Sequence, residues 1–159
     1  MSDTVITARP GSHSVEITRE FDAPAALVFR AYTDPDLVAQ WLGPRRLTMK
    51  VDNWTLHHAG GYRYIHTDPE GGEYTFRGVF HGTPSLADGI IQTFEFEGMP
   101  GDVALEKIDF TEHNGRTTVH SVSVGLSVEA RDQHIANGME HGIRDSMDRL
   151  AEVLKTIEG

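Results

Sequence analysis

Glu106 is the residue of this chain whose neighbours could give it chemistry. In Val103-Ala-Leu-Glu-Lys-Ile-Asp-Phe110 it shares a strand parity with Ala104, Ile108 and Phe110. If Ile108 and Phe110 point inward, so does Glu106. A bulge would turn it out, since Val103 and Leu105 hold the opposite parity. A carboxyl in an apolar cavity has its pKa raised, which is how general acids and bases are made. With His81 or Arg77 nearby, it would form an acid–base pair. Nine histidines raise the question of a metal. His57 and His58 are adjacent and would point to opposite faces of a strand. His134 and His141 would stand about 10 Å apart along a helix, too far for one ion. No His-Glu-x-x-His spacing occurs, so no metal site is expected. His81 and His120 fall on strands, where each is either a polar group in a cavity or an exposed or core-satisfied histidine. The chain has no cysteine, which excludes thiolate nucleophiles, cysteine metal sites and disulfides. There is neither a Gly-x-Ser-x-Gly elbow nor a phosphate-cradling Gly-x-x-x-x-Gly-Lys loop. Nothing points to a cofactor.

A second set of residues suits binding. Trp41, Trp54, Tyr64, Phe76, Phe80, Phe94, Phe96 and Phe110 fall in elements expected to face or edge a long helix. Each alone is compatible with core packing; together they suit a pocket, which is typically apolar with a few polar groups. Met139 and Met147 would add flexible, polarizable surface from the helix. The candidate ligand-binding residues are therefore Trp41, Trp54, Tyr64, Phe76, His81, Phe94, Phe96, Glu106, Ile108, Met139, Ile143 and Met147.

The elements that must position them can be read from periodicity. Residues 1–12 are polar and end in Pro10–Gly11, which predicts a loose tail before one domain over 13–159. Val15, Ile17 and Phe21 mark a strand with one buried face. Asp22 is placed to cap a short helix that begins near Pro24, and Asp34–Pro35 repeats the signal for a second, stopped by Gly43–Pro44. From Arg46 to about Val124 the pattern is all strand, with a bulge expected near Asp52–Asn53 and short turns that argue for an antiparallel meander. Ile90, Gln92, Phe94 and Phe96 share one face. Ser127 is placed to serve as an N-cap. From Glu129 to Ile157 the residues Ile135, Met139, Ile143, Met147, Leu150, Leu154 and Ile157 make one apolar stripe, with Asn137–Gly138 set to kink or split the helix. The class is α+β: a curved antiparallel sheet of about six or seven strands, two short helices after the first strand, and a long C-terminal helix.

Composition narrows the partners. The 159 residues can bury a sizeable core, and 38% hydrophobic with 24% charged residues is an ordinary globular balance. The 14 Lys and Arg are scattered among 24 acids for a formal charge of −10. That argues against nucleic acid and anionic membrane as partners, because phosphate needs a cationic surface. No apolar run suits a signal peptide or a membrane span, so cytoplasm is the expected location, without membrane insertion. The exposed strands and first helix leave room for a homodimer that no sequence feature specifies.

Taken in order, several segments carry a resemblance. They are Ile17-Thr-Arg-Glu-Phe-Asp-Ala-Pro24, Ala31-Tyr-Thr-Asp-Pro35 leading to Trp41-Leu-Gly-Pro44, Tyr62-Arg-Tyr64 and Glu73 to His81. Gln92 to Gly101, Ser127-Val-Glu-Ala-Arg-Asp132, Gly138-Met-Glu-His-Gly142 and Asp148-Arg-Leu150 complete the set. The chain resembles the START-like (SRPBCC) superfamily, and within it the bacterial relatives of the C-terminal domain of the activator of the ninety-kilodalton heat-shock protein ATPase. The resemblance implies a helix-grip (Bet v-like) fold with an elongated, mostly apolar cavity between sheet and C-terminal helix. It implies an apolar ligand such as a lipid, polyketide or aromatic compound. Its alternatives are a cyclase or hydratase using Glu106 and a histidine, and a co-chaperone that stimulates a heat-shock ATPase in a stress response. Leu42 stands where relatives usually have a second tryptophan, and Thr55-Leu-His-His-Ala-Gly60 lacks the acid and arginine common there. Ile143 stands where some relatives carry Trp, which could leave more room beside the helix.

Overall fold

The computed structural model describes residues 3–157; Met1, Ser2, Glu158 and Gly159 lie outside the described residues. In chain order the elements are β1 (Val5–Thr7), β2 (Ser14–Phe21), α1 (Ala25–Thr33), α2 (Pro35–Trp41), β3 (Thr48–Trp54), β4 (Gly61–Thr67), β5 (Glu73–Val79), β6 (Ile90–Phe96), β7 (Val103–His113), β8 (Arg116–Val124), α3 (Val128–Ala136) and α4 (Met139–Leu154). The strands form one antiparallel sheet in the order β1-β2-β8-β7-β6-β5-β4-β3. The bulge falls where the sequence places it, between Val51 and Asn53.

The expected α+β architecture is present, with two corrections. The sheet has eight strands rather than six or seven, because part of the expected loose tail is a strand. Val5–Thr7 pairs with Glu16–Thr18 along the outer edge of β2. Three arginines hold this segment: Arg19 donates to Thr4 Oγ1 at 3.1 Å, Arg144 to the Thr4 carbonyl, and Arg131 to the Arg9 carbonyl at 2.8 Å. This short segment, with Val5 left exposed, is ordered by backbone pairing and guanidinium hydrogen bonds.

The second correction concerns the start of α1. Pro24 is its N-cap and makes no side-chain cap bond. The carboxylate there comes from Glu112 of β7, which accepts from the Ala25 N–H at 2.7 Å. Asp22 faces solvent beside Arg116. Asp34 and Ser127 do cap α2 and α3, as expected.

The C-terminal helical stretch is split at Asn137–Gly138, one of the two outcomes expected there, into α3 and the long α4. Gly138 adopts φ +88° between them, in the left-handed region. α4 packs chiefly on α2 and α1. Its Ser146 Oγ accepts from the Gly43 N–H at 2.7 Å, and Arg149 donates to the carbonyls of Gln40, Gly43 and Pro44. Phe21, Val28, Ala31, Trp41, Met147 and Leu150 are the centre of one core under α1, α2 and α4. Tyr62, Tyr64, Phe80 and Ile90 centre a second on the concave face of the sheet.

Candidate functional site

Strand register decides which side chains meet on the concave face. Tyr62 and Tyr64 of β4 are buried there, and Phe76 lies directly across from Tyr64. Phe96 pairs with Phe76, and Phe94 with Ala104 of β7. The rings form a parallel row: Tyr62 to Tyr64 at 6.2 Å between centroids, Tyr64 to Phe76 at 5.3 Å, Phe76 to Phe94 at 5.4 Å. The row runs from the buried core to half-buried Phe76, Phe94 and Phe96.

Most of the space expected to be an elongated cavity is filled. Phe110 packs edge-on against Phe29 at 5.5 Å and Tyr32 at 5.2 Å. Trp54 lies against Tyr62 and Phe80, with its Nε1–H bonded to the Thr33 carbonyl at 2.8 Å. What remains at the far end of the aromatic row is a cavity of about 50 Å³, room for a few waters. Its apolar wall is Phe94, Val15, Ala104 and Met139; its polar wall is Glu106, Ser123, Arg131 and His134. A larger hollow of about 410 Å³ lies open on the helix side, among Gln40, Arg45, Arg149, Glu152 and Val153. Its walls are mostly polar, and its cations are committed. Arg149 holds three carbonyls, and Arg45 pairs with Glu152 and Asp145. The smaller cavity, with its aromatic approach, is the candidate site.

Of the residues predicted from sequence, Phe94, Glu106 and Met139 line this cavity, and Tyr64, Phe76 and Phe96 form the row that leads to it. Ile108 and Ile143 pack at the core margins. Trp41 and Met147 are interior packing residues: the Trp41 indole donates to the Ala31 carbonyl at 2.9 Å and lies 4.8 Å from Tyr32. His81 is exposed, its ring 6.4 Å from that of His58, because Phe80, one residue earlier, takes the inward parity. The expected Glu106–His81 pair is therefore not formed, and Arg77 is exposed as well.

Glu106 points inward with Ile108 and Phe110, one of the two orientations that the sequence leaves open. Its cross-strand neighbours are Gln92 on β6 and Ser123 on β8. Gln92 Nε2 donates to Glu106 Oε1 at 3.0 Å. Burial pushes the Glu106 pKa up, against the opposing pull of hydrogen bonds from Gln92 and Ser123 and of nearby His134. His134 itself pairs with Asp102, Nε2 to Oδ2 at 3.0 Å, joining α3 to the β6–β7 turn beside the cavity. This cluster can bind a polar group and hold a proton on a carboxyl away from bulk water.

Sequence reasoning missed Ser123, His134 and His66. Ser121 and Ser123 alternate with Val122 and Val124, a pattern that would put the valines inside. His134 stands out only once Asp102 and Glu106 are beside it. His66 is 4% exposed, with its ring 5.1 Å from Tyr64 and 5.4 Å from Phe76. Burial lowers its pKa to about 4, partly offset by a hydrogen bond with the Leu42 backbone. Its Nε2 finds no partner among the described residues.

Among the described residues no three His, Asp or Glu side chains gather as a metal site, and no helix is long and apolar enough to cross a membrane. Residues 22–155 match the model of the family described as Activator of Hsp90 ATPase homolog 1-like protein. No curated protein matches the chain. Solved structures share its fold: a Rhodobacter sphaeroides protein at 24% identity and TM-score 0.87 covers 98% of this chain and 99% of its own. An Arthrobacter aurescens protein at 22% identity has TM-score 0.87, covering 98% and 93%. Protein Ms6760 from Mycobacterium smegmatis, at 22% identity and TM-score 0.85, covers 98% and 99%.

Proposed function

The chain belongs to the family of Activator of Hsp90 ATPase homolog 1-like proteins, and from that premise we propose that it binds an apolar small molecule between the concave sheet face and the C-terminal helices. The observation that carries this reading is the row of parallel rings, Tyr62, Tyr64, Phe76 and Phe94, which ends at a cavity instead of in closed packing. Flat apolar ligands extend such a row by stacking and by burying area that Phe76, Phe94 and Phe96 now leave half-covered. The cover over this end is thin. Arg131 is the buried residue of α3, and Gly138 separates α3 from α4. A ligand larger than a few waters enters by displacing α3 while α4 stays anchored on α1 and α2.

The test is a fluorescence titration with N-phenyl-1-naphthylamine, together with native mass spectrometry of gently purified protein to find a retained compound. Saturable binding is expected, weakened about ten-fold or more by Phe94→Ala, the loss of one ring's contact area. A signal that rises linearly without saturation, or one that Phe94→Ala leaves unchanged, counts against the reading.

A further inference from the structure

The row Gln92–Glu106–Ser123 inverts the rule by which the strands carrying it are built. Leu105 and Val124, paired with each other on the convex face, are 50% and 38% exposed, while their chain neighbours Glu106 and Ser123 face the helices. A one-residue slip of both strands would bury the apolar pair and expose the polar one. The register does not slip, because the same ladders set Ile90 against Ile108 and Phe110 against Val119 on the inner side. The inversion is thus local: polar side chains across three adjacent strands face inward, and the adjacent Leu105 and Val124 face water. Such a breach of local pattern, with no gain in packing, is expected at functional sites.

The row faces the cavity described above, and its hydrogen bonding says what fits there. Gln92 and Ser123 both serve Glu106 as donors, and a carboxyl offers about four acceptor positions, so acceptor capacity is left for a ligand. An anion would meet the Glu106 carboxyl, while Arg131 is already engaged by Asp132 and by the Arg9 and Ser14 carbonyls, and His134 by Asp102. A cation would stand among Arg131 and His134, which line the same space. A neutral hydroxyl meets neither conflict and is small enough for about 50 Å³. The ring that carries it would lie against Phe94.

We propose that the Gln92–Glu106–Ser123 row anchors the hydroxyl of a neutral, flat apolar alcohol or phenol and discriminates against carboxylates, fatty acids included. This rests on the binding reading above and specifies its ligand class. The test compares 2-naphthol, naphthalene and 2-naphthoate by NMR titration of the isotope-labelled protein at pH 7, with Glu106→Leu and Glu106→Gln beside the parent. Tighter binding of 2-naphthol, by about ten-fold over both other probes, is expected from a buried hydrogen bond to the Glu106 carboxyl. In Glu106→Leu, 2-naphthol should fall to the affinity of naphthalene while naphthalene itself is retained. Glu106→Gln, which keeps an acceptor, should hold part of the preference. The amide spectrum of each variant reports its folding directly. Equal affinities for all three probes, tightest binding of 2-naphthoate, or a preference that survives Glu106→Leu would overturn the anchor and leave the binding reading standing. Failure of all three probes to bind would overturn both.

Discussion

His66 is held neutral by its surroundings. It lies beneath Gly43, where an added Cβ would stand 2.5 Å from the imidazole, and the ring contacts Tyr64 and Phe76. Its pKa is about 4 in the folded protein against about 6.5 in an unfolded chain. Between those values the unfolded state holds the extra proton, so this contribution to stability is whole above pH 6.5 and is lost toward pH 4. The loss reaches roughly 3 kcal/mol at about 1.4 kcal/mol per pKa unit. Urea unfolding of parent and His66→Gln across this window should show the parent falling more steeply; parallel curves would disprove it. Glu106 works in the opposite sense. Its raised pKa means that stability is greatest below the unfolded carboxyl value and declines as pH rises through the folded one. Glu106→Gln should remove that decline above pH 4.5. Neither proton affinity is legible in the sequence, because burial by distant elements sets both.

At the scale of elements, the two glycines flanking the first turn of α4 have opposite roles. Gly138 sits at φ +88° with nothing within 4 Å of where a Cβ would stand. Gly142 lies within the helix, where a Cβ would meet Pro44 Cγ at an ordinary 3.8 Å. Gly138→Ala should cost about 1 kcal/mol through left-handed backbone strain. Gly142→Ala should gain about 0.5–1 kcal/mol by helix propensity. Thermal unfolding of the pair checks both; a gain from Gly138→Ala would show that the break between α3 and α4 needs no glycine. Local signals of this kind were legible. Asp34, Ser127 and Asn137–Gly138 act within a few residues of themselves. Asp22 misled because the acceptor for α1 is Glu112, 87 residues from Ala25.

For the molecule as a whole, β1 closes an edge. It covers β2 and brings Thr4 to Arg19, whose guanidinium also bonds Asp148 of α4 at 2.8 Å. Deletion through Ala8 would leave β2 with unpaired backbone groups, which favour strand pairing between copies. Sedimentation velocity should show stronger concentration-dependent association of the shortened chain than of the parent. A profile unchanged from the parent's would mean that β2 needs no cover.

By itself, the sequence determined the order of elements from β2 onward, the two caps at Asp34 and Ser127 and the bulge near Asn53, because each follows from backbone geometry over a few residues. Only the tertiary structure decided that the interior is largely filled, that Trp41 and Met147 are packing residues, that His81 is outside, and that Ser123 and His134 join Glu106. Those outcomes depend on register between strands far apart in the chain and on where the helices settle, and a period of two or 3.6 residues carries no information about either.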